Sequence, residues 1–183
     1  IIVGGDSAGG GTRDVTLVRY NTDGSLDTGF GTLGTGWVIT APGQYDDVTE
    51  AITLDASGNI VLAGYTNVYG AYGLSPEMLV MRFAPDGSLD TGFGPNGSGS
   101  LILQIGQRDD RATALAIRAD GRIDVVGITT DLYFTPQTVL LQLTSSGILD
   151  TGFGSGGGTV LSGVGPFTPT SVVIDAAGRL VLT

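Results

Sequence analysis

The stretch DGSLDTGFG starts at Asp23 and recurs letter for letter at Asp86; a third form, SGILDTGFG, starts at Ser146. The copies begin 63 and then 60 residues apart. Near-constant spacing of this kind marks a tandem array, in which each copy is one supersecondary unit that buries its apolar faces against its neighbours. The flanks repeat too. DVTLVRYNT from Asp14, EMLVMRFAP from Glu77 and QTVLLQLTS from Gln137 precede the motif, and GWVIT from Gly36, SLILQ from Ser100 and GTVLS from Gly158 follow it. Next come EAITLDASGNIVLAG from Glu50, TALAIRADGRIDVVG from Thr113 and TSVVIDAAGRLVLT from Thr170. The opening IIVGG fits the slot of IVLAG at Ile60. One repeat domain thus spans residues 1–183, with copies over approximately 1–57, 58–120 and 121–177, and 178–183 starting a further copy.

Each copy reads as four short strands rich in Val, Ile, Leu and Thr and bounded by Gly, Asp, Asn and Pro, with no sustained helical spacing. Strands one and two are joined by DASGN, RADGR and DAAGR, with Gly58, Gly121 and Gly178 at the same turn position. A tight hairpin needs a residue that tolerates positive φ there. The nonapeptide joins strands three and four. Asp23-Gly24 and Asp86-Gly87 are turn dipeptides, and Asp27, Asp90 and Asp150 are expected to cap loop amides. Leu26 and Phe30, with Leu89, Phe93, Leu149 and Phe153, are expected to anchor the loop against its own blade. In the first strand Ala51, Ala114 and Ser171 are small, as suits strands crowded at an axis, while Ile52, Leu115 and Val172 point to the opposite face.

The expected fold is all-β: tandem four-stranded antiparallel blades of the β-propeller type, about three of them, as an open segment or half ring. A β-trefoil or β-prism is the alternative. Closed propellers have roughly four to eight blades, so three copies point to other blades of a longer array or to a second copy of the chain as partners. The chain begins inside a strand-like run, as a mature product or an excised piece would.

Composition narrows the functions. The chain carries 18 acidic and 8 basic residues for a net charge of −10, which argues against a phosphate-tracking nucleic-acid partner and against docking on anionic membranes. No apolar run is long enough for a membrane helix, so no membrane insertion is expected. With no Cys and no His, disulfides, thiolate metal sites and the usual general base are absent from the sequence. GDSAGGG from Gly5 and the opening IIVGG look like serine-protease fragments, but a Ser-His-Asp arrangement cannot be assembled without His. GSGGG near Ser155 has no following helix with a Lys and is no phosphate loop.

Recognition is expected where the copies differ. In a propeller the two-to-three and four-to-one loops share one face. Here they are DSAGGGTR from Asp6, YTNVYGAYGLSP from Tyr65 and ITTDLYFTPQ from Ile128, with APGQYDD from Ala41, IGQRDD from Ile105 and GVGPFTP from Gly163. They hold Tyr45, Tyr65, Tyr69, Tyr72, Tyr133 and Phe134, rings suited to stacking on a sugar or anchoring a protein. Asp46-Asp47 and Asp109-Asp110 precede the innermost strand. Converging carboxylates there would suit Ca²⁺, although Phe167 and Thr168 break the pattern in the third copy. The alternative role for these acids is capping the start of the strand. NTDGSLD lacks the full spacing and terminal Glu of an EF-hand loop. No pair of acids stands out for glycoside hydrolysis.

LDTGFG, DASGNIVLAG and LVRYNTDGSLD at a sixty-residue period resemble the delta-60 repeat of bacterial proteins, and the resemblance covers essentially the whole chain. It implies a propeller in a large secreted or surface-exposed bacterial chain and carries no common catalytic residues. The resulting expectation is a non-enzymatic module, with no cofactor other than possible Ca²⁺, that serves as a structural scaffold or protein-interaction surface. A carbohydrate-binding module using the aromatic loops is the alternative, and a hydrolase with carboxylates in a central channel is a more distant one.

Overall fold

The computed structural model describes residues 1–9, 11–31, 33–154, 158–160, 165 and 167–183. Among the described residues thirteen strands form four antiparallel sheets. The first is β1 (Ile2–Ala8), β2 (Arg13–Arg19) and β3 (Trp37–Thr40). The second is β4 (Asp47–Leu54), β5 (Ile60–Gly70), β6 (Gly73–Phe83) and β7 (Ser100–Leu103). The third is β8 (Asp110–Ile117), β9 (Ile123–Thr130), β10 (Pro136–Leu143) and β11 (Gly158–Val160). The fourth pairs β12 (Val172–Ile174) with β13 (Leu180–Leu182). No α-helix occurs among the described residues. Within each sheet every strand pairs with the one before it, the up-and-down order of propeller blades.

The sequence copies and the sheets are out of phase. Residues 57, 120 and 177 fall in the hairpins joining β4 to β5, β8 to β9 and β12 to β13. The second and third copies therefore begin with the second strand of one sheet, and every copy ends with the first strand of the next.

Alternating side chains put an apolar layer on both faces of the second sheet. Ile60, Leu62, Leu79, Met81 and Phe83 meet Val15, Leu17 and Phe30 of the preceding sheet unit, with Ile52 at the margin. Val61, Ala63, Met78 and Val80 meet Ile123, Val125, Val139 and Leu141 of the next, with Ala51 at the margin. Ala51 and Ile52 thus face opposite ways, as expected for a sheet packed on both sides. The pattern repeats one step on, where Ala114, Val126 and Leu140 meet Val172. Four sheets stacked face to face are blades of the β-propeller type; the trefoil and prism alternatives do not describe this packing.

One segment departs from expectation. YTNVYGAYGLSP is mostly strand rather than loop: β5 and β6 stay in register from Ile60↔Phe83 out to Gly70↔Gly73. Thr66, Val68 and Tyr69 favour extended backbone, and no Pro occurs before Pro76.

Candidate functional site

The recurring nonapeptide builds the same local structure in each copy. Asp27, Asp90 and Asp150 accept the amides of Gly29, Gly92 and Gly152 at 2.9, 2.8 and 2.9 Å, so the capping role holds. Asp23 and Asp86 accept both the amide and the hydroxyl of Ser25 and Ser88. Those serine contacts hold the Asp23 and Asp86 carboxyls below the usual range.

The expected anchoring of the loop to its own blade is only half of the arrangement. Leu26 and Leu89 do stay local, covering Gly36 and Gly99. Phe30 and Phe93 are fully buried, and each packs on the turn of the following sheet. A Cβ at Gly87 would lie 2.8 Å from the Phe30 ring, and one at Gly147 would lie 2.5 Å from the Phe93 ring. The backbone joins in: Gly31 N–H donates to Asp86 O and Gly94 N–H to Ser146 O, each at 2.8 Å. Arg19 pairs through Nε with Asp27 at 2.8 Å, lies over Phe30 and donates to Pro85 O. Arg82 repeats this with Asp90 at 2.7 Å, Phe93 and Ser145 O. The motif is a clasp between successive blades. Asp90 shows the balance: burial pushes its carboxyl up, but the Gly92 amide and the Arg82 guanidinium outweigh that and hold it below its ordinary value.

The third copy has Gln142 where Arg19 and Arg82 stand. Gln142 donates to the buried Asp124 at 2.7 Å and accepts from Arg122 at 2.8 Å. Arg122 in turn lies 3.7 Å from Asp150. Arg118 Nε sits 2.7 Å from Asp124 Oδ2, off the line of a hydrogen bond, and Arg118 also donates to Gly178 O of the fourth sheet at 3.0 Å. An arginine still serves the clasp carboxylate, but from the neighbouring strand. Phe153 is only half-buried, and Gly24, at the other end, has nothing within 4 Å of its Cβ position.

The one-to-two hairpins and three-to-four turns share a face, as expected. A cleft of about 730 Å³ between the second and third sheets is lined by Asp55, Ser57, Arg82, Arg118, Asp120 and Ser146.

The four candidate calcium ligands do not converge on one point. Asp47 and Asp110 are fully buried at the start of β4 and β8. Asp110 accepts the amides of Ile105 and Gly106 at 2.8 and 3.0 Å and the hydroxyl of Thr129. Asp47 occupies the same place in the second sheet more loosely, accepting from Gly43 N–H at 3.4 Å. Burial drives the Asp47 carboxyl up from its usual range, with Thr66 and Gly43 opposing and Asp14 and Asp46 reinforcing the rise. Asp46 pairs with Arg13 and Asp109 with Arg111. Among the described residues no three acidic side chains gather as a metal site requires. Ser7 of GDSAGGG lies in β1 and shares a hydrogen bond with Thr16. Residues 155–157 of GSGGG and residues 163, 164 and 166 of GVGPFTP lie outside the described residues.

The aromatic candidates divide. Tyr65 is buried, with the Arg111 guanidinium 4.7 Å over its ring. Tyr45, Tyr69, Tyr72, Tyr133 and Phe134 are exposed, the last four by more than half. Tyr72 at the β5–β6 turn and Phe134 at the β9–β10 turn come together on a residue that the sequence reading did not single out. Arg108, in the β7–β8 loop, lies 5.5 Å from the Tyr72 centroid and 4.6 Å from that of Phe134.

All-β blades of the propeller type, with a clasp between the first and second sheets and another between the second and third, define the class. A family model described as a domain of unknown function, DUF5122, β-propeller, matches residues 1–30 and 56–93. Both matched segments end on a clasp phenylalanine, and together they span less than half of the chain, which is thus similar to a β-propeller-like repeat family. No curated protein matches the chain.

Proposed function

We propose that the chain is a non-enzymatic propeller module of a bacterial secreted or cell-surface protein, serving as a structural scaffold or protein-interaction surface. The observation that carries this reading is the clasp: the residues common to the copies are consumed in joining blade to blade, which leaves recognition to the unlike loops. The half-buried Phe153 and the uncovered Gly24 turn are complementary halves of the same clasp. The partners they suit are further blades of the same kind, in a longer array or on a second copy of the chain. The secreted or surface setting rests on the delta-60 resemblance.

A screen for hydrolysis of glycosides, esters and peptides tests the non-enzymatic part. No turnover is expected; turnover lost in Asp47→Asn or Asp110→Asn would overturn it. The carbohydrate-binding alternative is favoured by four aromatic side chains exposed by more than half on the loop face. A glycan array separates the two: binding abolished by Tyr133→Ala supports the carbohydrate module, and an empty array leaves the scaffold reading.

A further inference from the structure

Seven of the eight arginines have a carboxylate within ion-pair distance, as expected in a chain with sixteen Asp and a net charge of −10. Arg108 is the exception among the described residues. It has no carboxylate partner, and its Nε is buried without a hydrogen-bond acceptor. Its guanidinium instead lies over the rings of both Tyr72 and Phe134, from two different sheets.

The loop that presents Phe134 is built to hold its shape. Asp131 accepts the amides of Tyr133 and Thr135 at 2.8 and 2.9 Å. Phe134 itself sits at φ 59°, a left-handed conformation that is strained for a non-glycine residue. Such strain persists where surrounding contacts fix it, and it collects at binding sites. With no carboxylate paired to it, the guanidinium over these two rings has its N–H edge to offer a ligand. That edge is a planar fork matched to a carboxylate.

The geometry points to Arg108 as the anchor of a site for an acidic sugar, a pyranose ring bearing a single carboxylate. The carboxylate takes the guanidinium edge, and Tyr133, next to Phe134 in the chain and 88% exposed, offers a ring face for the C–H surface of the sugar. A ligand with several carboxylates is disfavoured, because the acidic surface repels it while one isolated cation attracts it. This inference rests on the reading that the unlike loops carry recognition, and it specifies the ligand.

The test is a ¹⁵N-detected titration with glucuronate, with glucuronamide as the neutral isostere, and with an Asp-rich tetrapeptide. Shifts confined to residues around 72, 108 and 133–134 are expected with glucuronate, with glucuronamide weaker by about tenfold, the worth of one charge-assisted hydrogen-bonded pair. Arg108→Gln should lose the glucuronate response with an unchanged melting temperature, and Arg108→Lys should recover only part of it. Equal binding of glucuronate and glucuronamide, no response to glucuronate, or tighter binding of the tetrapeptide overturns the inference. A neutral glycan or a protein that binds this face independently of Arg108 would reject the acidic-sugar site while leaving the loop-face reading standing.

Discussion

The ring of Phe93, at the end of the second LDTGFG element, lies against Gly147 in the turn of the next sheet with no room for a Cβ between them. Phe30 and Gly87 repeat the relationship one blade earlier. Phe93→Ala removes a fully buried ring and should cost about 3–5 kcal/mol in urea denaturation. Leu89, 36% exposed, should cost distinctly less when truncated to Ala.

Glycine substitutions separate backbone strain from the clasp. Gly24 and Gly87 both have positive φ, 84° and 89°. A methyl at Gly24 meets open space, whereas one at Gly87 overlaps the Phe30 ring. Gly24→Ala should therefore cost about 1 kcal/mol, from strain alone, and Gly87→Ala should cost more by the overlap. Equal midpoint shifts for the two variants would contradict the contact.

The third clasp can be exchanged for the second. Arg118 is the countercharge of the fully buried Asp124, so Arg118→Asp leaves carboxylates facing each other and should destabilise by about 3–5 kcal/mol. In the second sheet the equivalent positions are Asp55, Val61 and Arg82, and Asp55 caps its hairpin through the amides of Ser57 and Asn59. Adding Asp124→Val and Gln142→Arg should recover most of the loss. Thermal melts of the single and triple variants check the expected non-additivity.

Acid should loosen the clasps. Asp86 and Asp90 titrate below their ordinary value of 3.8 in the folded protein. Their contribution is complete above that value and is lost as pH falls through the lowered folded values. Asp90→Asn should flatten the fall of the urea midpoint as the pH drops below 3.8. Asp47 runs the other way, because its folded value is raised. Its burial is unfavourable at neutral pH and is relieved as acid protonates it. Asp47→Asn should be neutral or stabilising at pH 7, with any gain shrinking as pH falls toward 3.8.

The repeat made most of the blade architecture legible. Positive-φ glycines at 58, 121 and 178 mark the hairpins, and the Ala51/Ile52 alternation marks a sheet packed on both faces. What local pattern does not carry is which blade a side chain touches. Phe30 reads as an anchor of its own loop because periodicity reports facing, while its partner Gly87 lies more than fifty residues downstream. Arg19 and Arg82 stood at matched positions in the repeats, a signal available for the clasp cation. Arg108 gave none, because its partners Tyr72 and Phe134 come from turns of unlike length in two different sheets. The acidic pairs divide at the strand start: Asp47, the first residue of β4, is buried, while Asp46 just before it meets Arg13.

The most direct measurement is a two-dimensional nuclear Overhauser spectrum of the folded chain, read at the Hα protons of Gly147. Strong cross-peaks to the Phe93 ring and a marked upfield ring-current shift are predicted. Phe93 cross-peaks confined to residues of its own sheet, with Gly147 at an ordinary chemical shift, would contradict the clasp.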